Sequence, residues 1–591
     1  MPGNDYQPPV AALQFQGYEA SGGYRDWCLK RAKQAPRDYT LRRHSGLLFS
    51  IVVPVHKPPA RWLQECIDSV RSQFFVDWEL ILADDASTSA THTVMQHNQT
   101  LDSRIKLSLQ SLQSGISATT NRAASLAQGD YLVFLDHDDI LNAYALSAFA
   151  QNLQQTDADI LYADEDRFDV DYQRLHPAFK PQFSANKLLC TNYIHHPVVM
   201  RRALFETLGG FDSHYDGSQD YELLLRALEH KPVISHIPDV LYHMRLHSGS
   251  LASGAAAKPE AHDKGRAAVR AYFQRRQSGA LIKPSEFEGC HNISYPLDLR
   301  PEISILLLVN DRESVASVEA SWRQYPLDEI LVCTDSRRHT AARFNNLAYK
   351  AIGEVLIFAD GALQPEPGCI AELAEQSLRK DIGLVTGKLA YADGKLHSCG
   401  LTLGIRGCAG RWHYACNSGD LGFGGWMGIG HEVSAVPWQL MAVKKELFMQ
   451  AGLFDSQYIK HGFDVHLALQ LANDKTLQHL FTPLARANFA VPCPQQAEIW
   501  PLEDFKRLWR HWQKTLNRCD PFYSPNLSLC DESITFTSPA ELPSRLFGLV
   551  MLSGLWLCRG NLGSLTYKAI NKFIRFAING FVSVRQKYIS N

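Results

Sequence analysis

At 591 residues the chain is too long for a single core, and at 45% hydrophobic and 20% charged it is too apolar to stay disordered, so two or three globular domains are expected. A balance of 59 basic against 61 acidic side chains leaves a formal charge of −2, which gives no overall electrostatic reason to bind nucleic acid and removes it from the expected partners. The 13 cysteines form an odd, scattered set without a C-x-x-C pair, the pattern of reduced thiols rather than of a disulfide framework.

The first ten residues, MPGNDYQPPV, have neither a basic start nor an apolar stretch, and no run of about 18 apolar residues marks a membrane span, so the chemistry is expected to face the cytoplasm. Residues 1–47 form an extension before the first patterned element. From residue 48 strands and helices alternate, which predicts an α/β sheet. The β-branched run Phe49-Ser-Ile-Val-Val-Pro54 predicts a buried strand closed by a Pro-rich turn. Trp62, Leu63, Cys66, Ile67 and Val70 then recur at helical spacing, and a second strand, Glu79-Leu-Ile-Leu-Ala83, stops at Asp84-Asp85. A helical stretch over 117–128 leads into Asp130-Tyr-Leu-Val-Phe-Leu135, which stops at Asp136-His137-Asp138-Asp139. Open parallel sheets bind ligands outside the carboxyl ends of their strands, so both acidic clusters are expected on one rim.

Asp136-x-Asp138, with Asp139 beside it, sets hard oxygen ligands on a short loop suited to Mg²⁺ or Mn²⁺ alongside phosphate oxygens. An isolated pair of this kind would be a polar turn capping a helix. The context argues against the turn, because Asp84-Asp85-Ala-Ser87 ends another strand of the same sheet and a third acidic motif follows. That motif, Asp216-Gly-Ser-Gln-Asp220-Tyr-Glu222, enters a helix with Leu223, Leu224, Ala227 and Leu228 on its apolar face. Asp220 is thereby placed near a helix N-terminus, where its carboxylate could meet an acceptor hydroxyl.

Ile51-Val-Val-Pro-Val55, Ala83-Asp-Asp-Ala-Ser87, Phe134-Leu-Asp-His-Asp-Asp139, Gly209-Gly-Phe-Asp212 and Gln219-Asp-Tyr-Glu-Leu223 together resemble the family 2 glycosyltransferases of the GT-A fold. The resemblance runs on through Tyr162-Ala-Asp-Glu-Asp166, His176-Pro-Ala-Phe-Lys-Pro181, Asn192-Tyr-Ile-His195 and Leu241-Tyr-His-Met-Arg245 to His247-Ser-Gly-Ser250, as in bacterial members that build surface polysaccharides such as O-antigen or capsule. It implies a Rossmann-like nucleotide-sugar domain over 48–295. Carried over residue by residue, it implies that Pro54 and Val55 line the nucleoside pocket and that Asp85 contacts the nucleotide base. Asp136 and Asp138 would hold the diphosphate and the Mn²⁺ or Mg²⁺, and Asp220 would be the general base of an inverting transfer. In related enzymes a residue at the place of His247 completes the metal shell, the alternative being a satisfied polar histidine. Asp164, Glu165 and Asp166 are candidates for reading acceptor hydroxyls from the rim, the alternative being solvated loop carboxylates.

From Glu302-Ile-Ser-Ile-Leu-Leu-Leu-Val309 a second α/β pattern begins, expected to occupy 300–535, and Glu354-Val-Leu-Ile-Phe-Ala-Asp360 takes the place of Asp130–Asp136. It too resembles family 2, but Phe358-Ala-Asp-Gly361 holds half of the metal pair, so a degenerate, noncatalytic copy is expected over a second transferase, although Asp464 could fill the base position. Trp412, Trp426 and Trp438 are expected as core aromatics, with sugar stacking as the alternative. His397, Cys399, Cys408, His413 and Cys416 match no common zinc spacing.

Residues 541–591 carry an amphipathic pattern, with Lys568, Lys572 and Arg575 on one face and Ile570, Phe573, Ile574 and Phe581 on the other. This suits peripheral attachment to the inner face of an anionic membrane and a lipid-linked glycan acceptor, while a helix packed on the second domain would show the same pattern. A nucleotidyltransferase would need a Gly-rich phosphate loop after the first strand, which Pro54-Val-His-Lys-Pro-Pro59 is not. A noncatalytic scaffold would tolerate loss of the acidic residues, and the first domain has kept them.

Overall fold

The expected first strand stands at the centre of a mixed sheet. In chain order the strands are β1 (Phe49–Val55), β2 (Trp78–Asp84), β3 (Ile105–Ser108), β4 (Tyr131–Phe134), β5 (Ile140–Leu141), β6 (Ile160–Phe168), β7 (Arg174–Ala178), β8 (Val198–Arg201) and β9 (Ile234–Arg245), and they lie in the order β3-β2-β1-β4-β8-β6-β9-β5 with β7 paired to β6. The structure is a computed structural model that describes residues 24–44, 46–247, 259–310, 315–323, 328–335, 339–494, 500–529 and 532. The chain divides into two compact units, Met1–His291 and Asn292–Asn591.

β1 pairs in parallel with β2, from Phe49–Trp78 to Val55–Asp84, and with β4, from Phe49–Tyr131 to Val52–Phe134. Parallel neighbours end on the same edge, so Asp84-Asp85 and Asp136–Asp139 leave that edge on either side of β1. Both faces of a parallel sheet are covered, which is why β1 and β2 are mostly apolar, interrupted by Ser50 in one and by Glu79 and the terminal Asp84 in the other, rather than alternating. On one face Phe49, Ile51, Val53 and Val55 join Leu63, Cys66, Ile67 and Val70 of helix α2 (Ala60–Arg71) in a single buried cluster. Full burial of such a side chain contributes about 1.5–3 kcal/mol.

Part of the N-terminal extension belongs to this unit. Its helix α1 (Tyr24–Asp38) buries Tyr24 and Trp27 and donates from Tyr24 Oη to Asp166 Oδ2 at 2.5 Å, while Arg31 pairs with Asp239.

The second unit repeats the strand order from β2 onward: Glu329–Asp335, Ile303–Asn310, Val355–Asp360, Leu440–Lys444, Ile382–Tyr391, Gln478–Phe489 and Leu363–Pro365. Small devices repeat with it. Ser50 Oγ donates to Glu79 at 2.6 Å and accepts from Gly129 N at 2.8 Å, and Ser304 Oγ does the same with Glu329 at 2.7 Å and Gly353 N at 2.8 Å. Both glycines are required by close approach, since a Cβ would lie 2.6 Å from Leu48 O at Gly129 and 2.5 Å from Ser304 N at Gly353. Asn121 brackets the backbone N and O of Phe211, as Asn345 brackets those of Phe454.

Among the described residues no helix is long and apolar enough to cross a membrane. The expected amphipathic tail, 541–591, lies outside the described residues.

Candidate active site

The two acidic turns behave differently. Asp84 is buried and accepts from Ser87 N at 3.2 Å, with His92 Nε2 3.0 Å away. Asp85 accepts from Ser114 N at 2.6 Å and Ser114 Oγ at 3.1 Å on one oxygen, and from Gly115 N at 3.0 Å on the other. Burial opposes its charge, but these donors outweigh it and hold the carboxyl below the usual range. Gly115 adopts φ +90, a conformation that favours glycine, as it turns the chain into helix α4 (Ile116–Ser125).

The loop after β4 is fixed by the end of β9. Asp139 accepts from Tyr242 Oη at 2.7 Å and from Arg245 N at 2.8 Å, and Arg245 donates from Nε to Asp138 O at 2.8 Å. Arg245 is itself held by Glu65 of α2 at 2.7 Å. Burial, then Asp138 and Asp136, push Asp139 well above the ordinary carboxylate range. With Asp139 built into the frame, two carboxylates remain to face outward. Asp138 Oδ2 lies 2.8 Å from His247 Nε2. Asp136 keeps 41% of its side-chain surface open and lies 3.6 Å from His196 Nε2. Desolvation by the surrounding walls raises Asp136, His196 partly offsets this, and Asp138 and Asp220 add to it. Such mutual repulsion marks a place where positive charge is favoured.

A cleft opens beside this loop, lined among others by Pro54, Thr120, Asp136, His195, His196 and Asp220. Asp220 stands in the first turn of helix α8 (Gln219–Ala227) and accepts from Asn192 Nδ2 at 2.9 Å. His196 stacks on Tyr242 with ring centroids 4.9 Å apart. The segment carrying both histidines is held from beneath: buried Lys180 donates to Ile194 O at 2.5 Å and His196 O at 2.6 Å, and Glu165 accepts from His196 N at 2.9 Å.

Of the residues singled out from sequence, the cleft therefore gathers Pro54, Asp136 and Asp220, and the adjoining loop sets Asp138 against His247. Two expectations are corrected. Val55 was expected to line the nucleoside pocket, but its side chain is fully buried in the core cluster and only its carbonyl is used, by Asp85 N at 2.8 Å. Asp164, Glu165 and Asp166 were expected on the rim; they lie in β6 with exposures of 0%, 6% and 0%. Each is spent on an internal partner: Asp164 on His236 at 2.8 Å, Glu165 on Lys180 at 3.3 Å, and Asp166 on Arg174 at 2.5 Å and His243 at 2.6 Å. Acceptor hydroxyls cannot reach them. Asn192, His195, His196 and Tyr242 are the residues that motif reading left without a role.

Strand register gives the counterparts in the second unit. Val133 pairs with Val199 and Ile357 with Ala442, so Asp360 stands for Asp136, Ala362 for Asp138 and Leu363 for Asp139. Leu141–Tyr242 corresponds to Pro365–Ala487, which replaces Tyr242 by alanine. The Asn121 and Asn345 brackets align Thr120 with Phe344, and counting back from the strand pairs aligns His195 with Trp438. Phe344 and Trp438 are 0% and 5% exposed, with ring centroids 5.7 Å apart, so two large packed rings stand at the positions whose first-unit counterparts, Thr120 and His195, line the cleft. Asp464 is buried, accepts from Trp438 N at 3.1 Å and Val465 N at 2.9 Å, and is raised above its usual range by that burial. Trp412 and Trp426 are likewise buried, 5.0 Å apart edge to face, as expected of core aromatics.

A mixed sheet presenting paired carboxylates at its strand ends, beside a cleft closed by a helix N-terminus, defines an α/β protein of the GT-A class. Residues 50–209 match the family described as glycosyl transferase family 2. The protein y4gI of Sinorhizobium fredii is 29% identical over 586 residues, covering 91% of this chain and 64% of its own. The O-antigen biosynthesis protein RfbC of Myxococcus xanthus is 30% identical over 550 residues, 86% of this chain and 42% of its own. EpsE of Bacillus subtilis is 31% identical over 212 residues, 34% of this chain and 74% of its own. The chain belongs to glycosyl transferase family 2. It spans less than two thirds of the length of y4gI and of RfbC.

Proposed function

We propose that the first unit is an inverting, metal-dependent glycosyltransferase that moves a sugar from a nucleotide-diphosphate donor to a hydroxyl of a growing bacterial surface glycan. The observation that carries this reading is that Asp136 and Asp220 face one cleft from opposite elements. Transfer needs a base on the acceptor side and charge neutralisation on the leaving-group side, and the two carboxylates divide those tasks. Asp220 takes the proton of the acceptor hydroxyl as that oxygen attacks the anomeric carbon. Pro54 and Asp136 border the donor, and Asp85, braced by Ser114 and Gly115, is the residue assigned to the nucleotide base.

The residues present fit a hard divalent ion. Adjacent ligands of an octahedral ion with bonds of about 2.0–2.1 Å lie about 3 Å apart, which the 2.8 Å between Asp138 Oδ2 and His247 Nε2 satisfies. Among the described residues no three His, Cys, Asp or Glu side chains converge to hold an ion by themselves, so Asp136, Asp138 and His247 do not make a ready-formed site, and phosphate oxygens and water would have to supply the remaining ligands. Mn²⁺ or Mg²⁺ held by Asp138 and His247, with Asp136 on the diphosphate side, would supply positive charge to the departing diphosphate.

The second unit is a noncatalytic copy in this reading, supported by Ala362, Leu363 and the Phe344–Trp438 filling. A surface-glycan acceptor is supported by the similarity to RfbC, an O-antigen biosynthesis protein. The basic amphipathic pattern of the tail supports attachment at the inner membrane face and a lipid-linked acceptor.

The test is turnover with a panel of UDP-, GDP- and dTDP-sugars and Mn²⁺ or Mg²⁺, together with Mn²⁺ binding followed by electron paramagnetic resonance in the presence of the matching nucleotide diphosphate. Asp138→Ala should lower kcat/KM about a hundredfold or more and weaken nucleotide-dependent Mn²⁺ binding. Unchanged turnover and unchanged Mn²⁺ binding in Asp138→Ala would contradict the assignment.

A further inference from the structure

A carboxylate that serves as a base must be held with one oxygen toward the hydroxyl it deprotonates, and a free aspartate in the first turn of a helix samples several rotamers. In this chain the restraint comes from outside the helix. Asn192 lies on the segment between helix α6 (Ala185–Cys190) and β8, 28 positions from Asp220 in sequence, and donates from Nδ2 to Asp220 Oδ2 at 2.9 Å. The direction of the amide is determined by its other end, because Asn192 Oδ1 accepts from His195 N at 3.4 Å. A flipped amide would set two oxygens against each other at Asp220 and two donors against each other at His195.

We propose that Asn192 is the positioning residue of the base: it engages Oδ2 of Asp220 and leaves Oδ1 for the acceptor hydroxyl. The inference rests on the reading of Asp220 as the base. The same segment continues into His195 and His196, which line the cleft, and Lys180 and Glu165 hold its backbone from beneath. The orientation of the base is thereby tied to the wall of the cleft, and buried Lys180 and Glu165, which have no part in the chemistry, gain a reason for their placement.

Without the amide the Asp220 side chain is free to leave the rotamer that turns Oδ1 to the hydroxyl, so the loss falls on the chemical step and not on donor binding.

The experiment compares wild type, Asn192→Ala, Asn192→Asp and Asp220→Asn on the donor panel, together with crystal structures of wild type and Asn192→Ala. Asn192→Ala should lower kcat about tenfold and leave the donor KM within about twofold. Asn192→Asp, which has no amide donor to offer, should lower kcat at least as far. In the crystal structure of Asn192→Ala, the Asp220 side chain should leave its present rotamer or occupy two. Wild-type kcat in both Asn192 variants, or an unmoved Asp220 rotamer, would overturn the proposal while leaving Asp220 as the base. Full turnover in Asp220→Asn would instead overturn the reading on which it rests.

Discussion

The two units share a scaffold and differ at the strand ends. The Ser–Glu–Gly knot under the first strand and the asparagine bracket around a phenylalanine backbone occur in both, as does a cluster of three phenylalanines: Phe134, Phe205 and Phe211 in one, Phe358, Phe448 and Phe454 in the other. What differs is a handful of side chains around one cleft. Asp138, Asp139, Tyr242 and Thr120 in the first unit become Ala362, Leu363, Ala487 and Phe344 in the second. The lesson is that the packing which makes the fold and the charges which make the site are separable: a core survives the replacement of carboxylates by apolar groups, because isolated buried charge costs stability and its removal is tolerated or favourable.

The comparison sharpens first by moving the filling across. Thr120→Phe should place in the first cleft the ring that Phe344 places in the second, weakening the donor about a hundredfold in KM while circular dichroism and Tm stay near wild type. Phe344→Thr should leave turnover unchanged, since it opens space without restoring Asp138 or Tyr242. A smaller effect in the second unit is read by pH. His479 is 3% exposed, sits 2.8 Å from Ala468 O, and is pushed down to about 4 by burial. A histidine lowered on folding must take up its proton on unfolding, so the second unit should lose stability as pH falls from about 6.5 towards 4. Asp520, pushed up to about 6 by burial, gains stability over much of the same window and offsets part of the loss. A net change of about 1–2 kcal/mol is expected in denaturant titrations of the second transition, flattened or reversed in His479→Gln.

Much of this was legible in the residues. The first strand showed as an apolar β-branched run, and the acidic clusters on the rim followed from strands that stop at Asp84 and Asp136. Asp220 showed through the apolar stripe behind it. Three things were not legible, for physical reasons. A strand buried on both faces carries no alternation, so nothing in Ile51-Val-Val-Pro-Val55 says that Pro54 faces the cleft and Val55 the core. Three successive carboxylates at 164–166 look solvated until their partners are known, and Lys180, Arg174, His236 and His243 lie between 8 and 77 positions away. Asn192 likewise acts across a turn of the fold, and its amide has no signature apart from the carboxylate it meets.

The central claim is a single working site in the first unit, and it is tested most directly by turnover on the donor panel with Asp220→Asn beside Asp464→Asn. Asp220→Asn should lower kcat about a thousandfold, while Asp464→Asn, whose carboxylate is bound to Trp438 N and Val465 N beneath a filled cleft, should retain wild-type turnover. Activity that survives Asp220→Asn and is lost in Asp464→Asn would contradict the account and move the chemistry to the second unit.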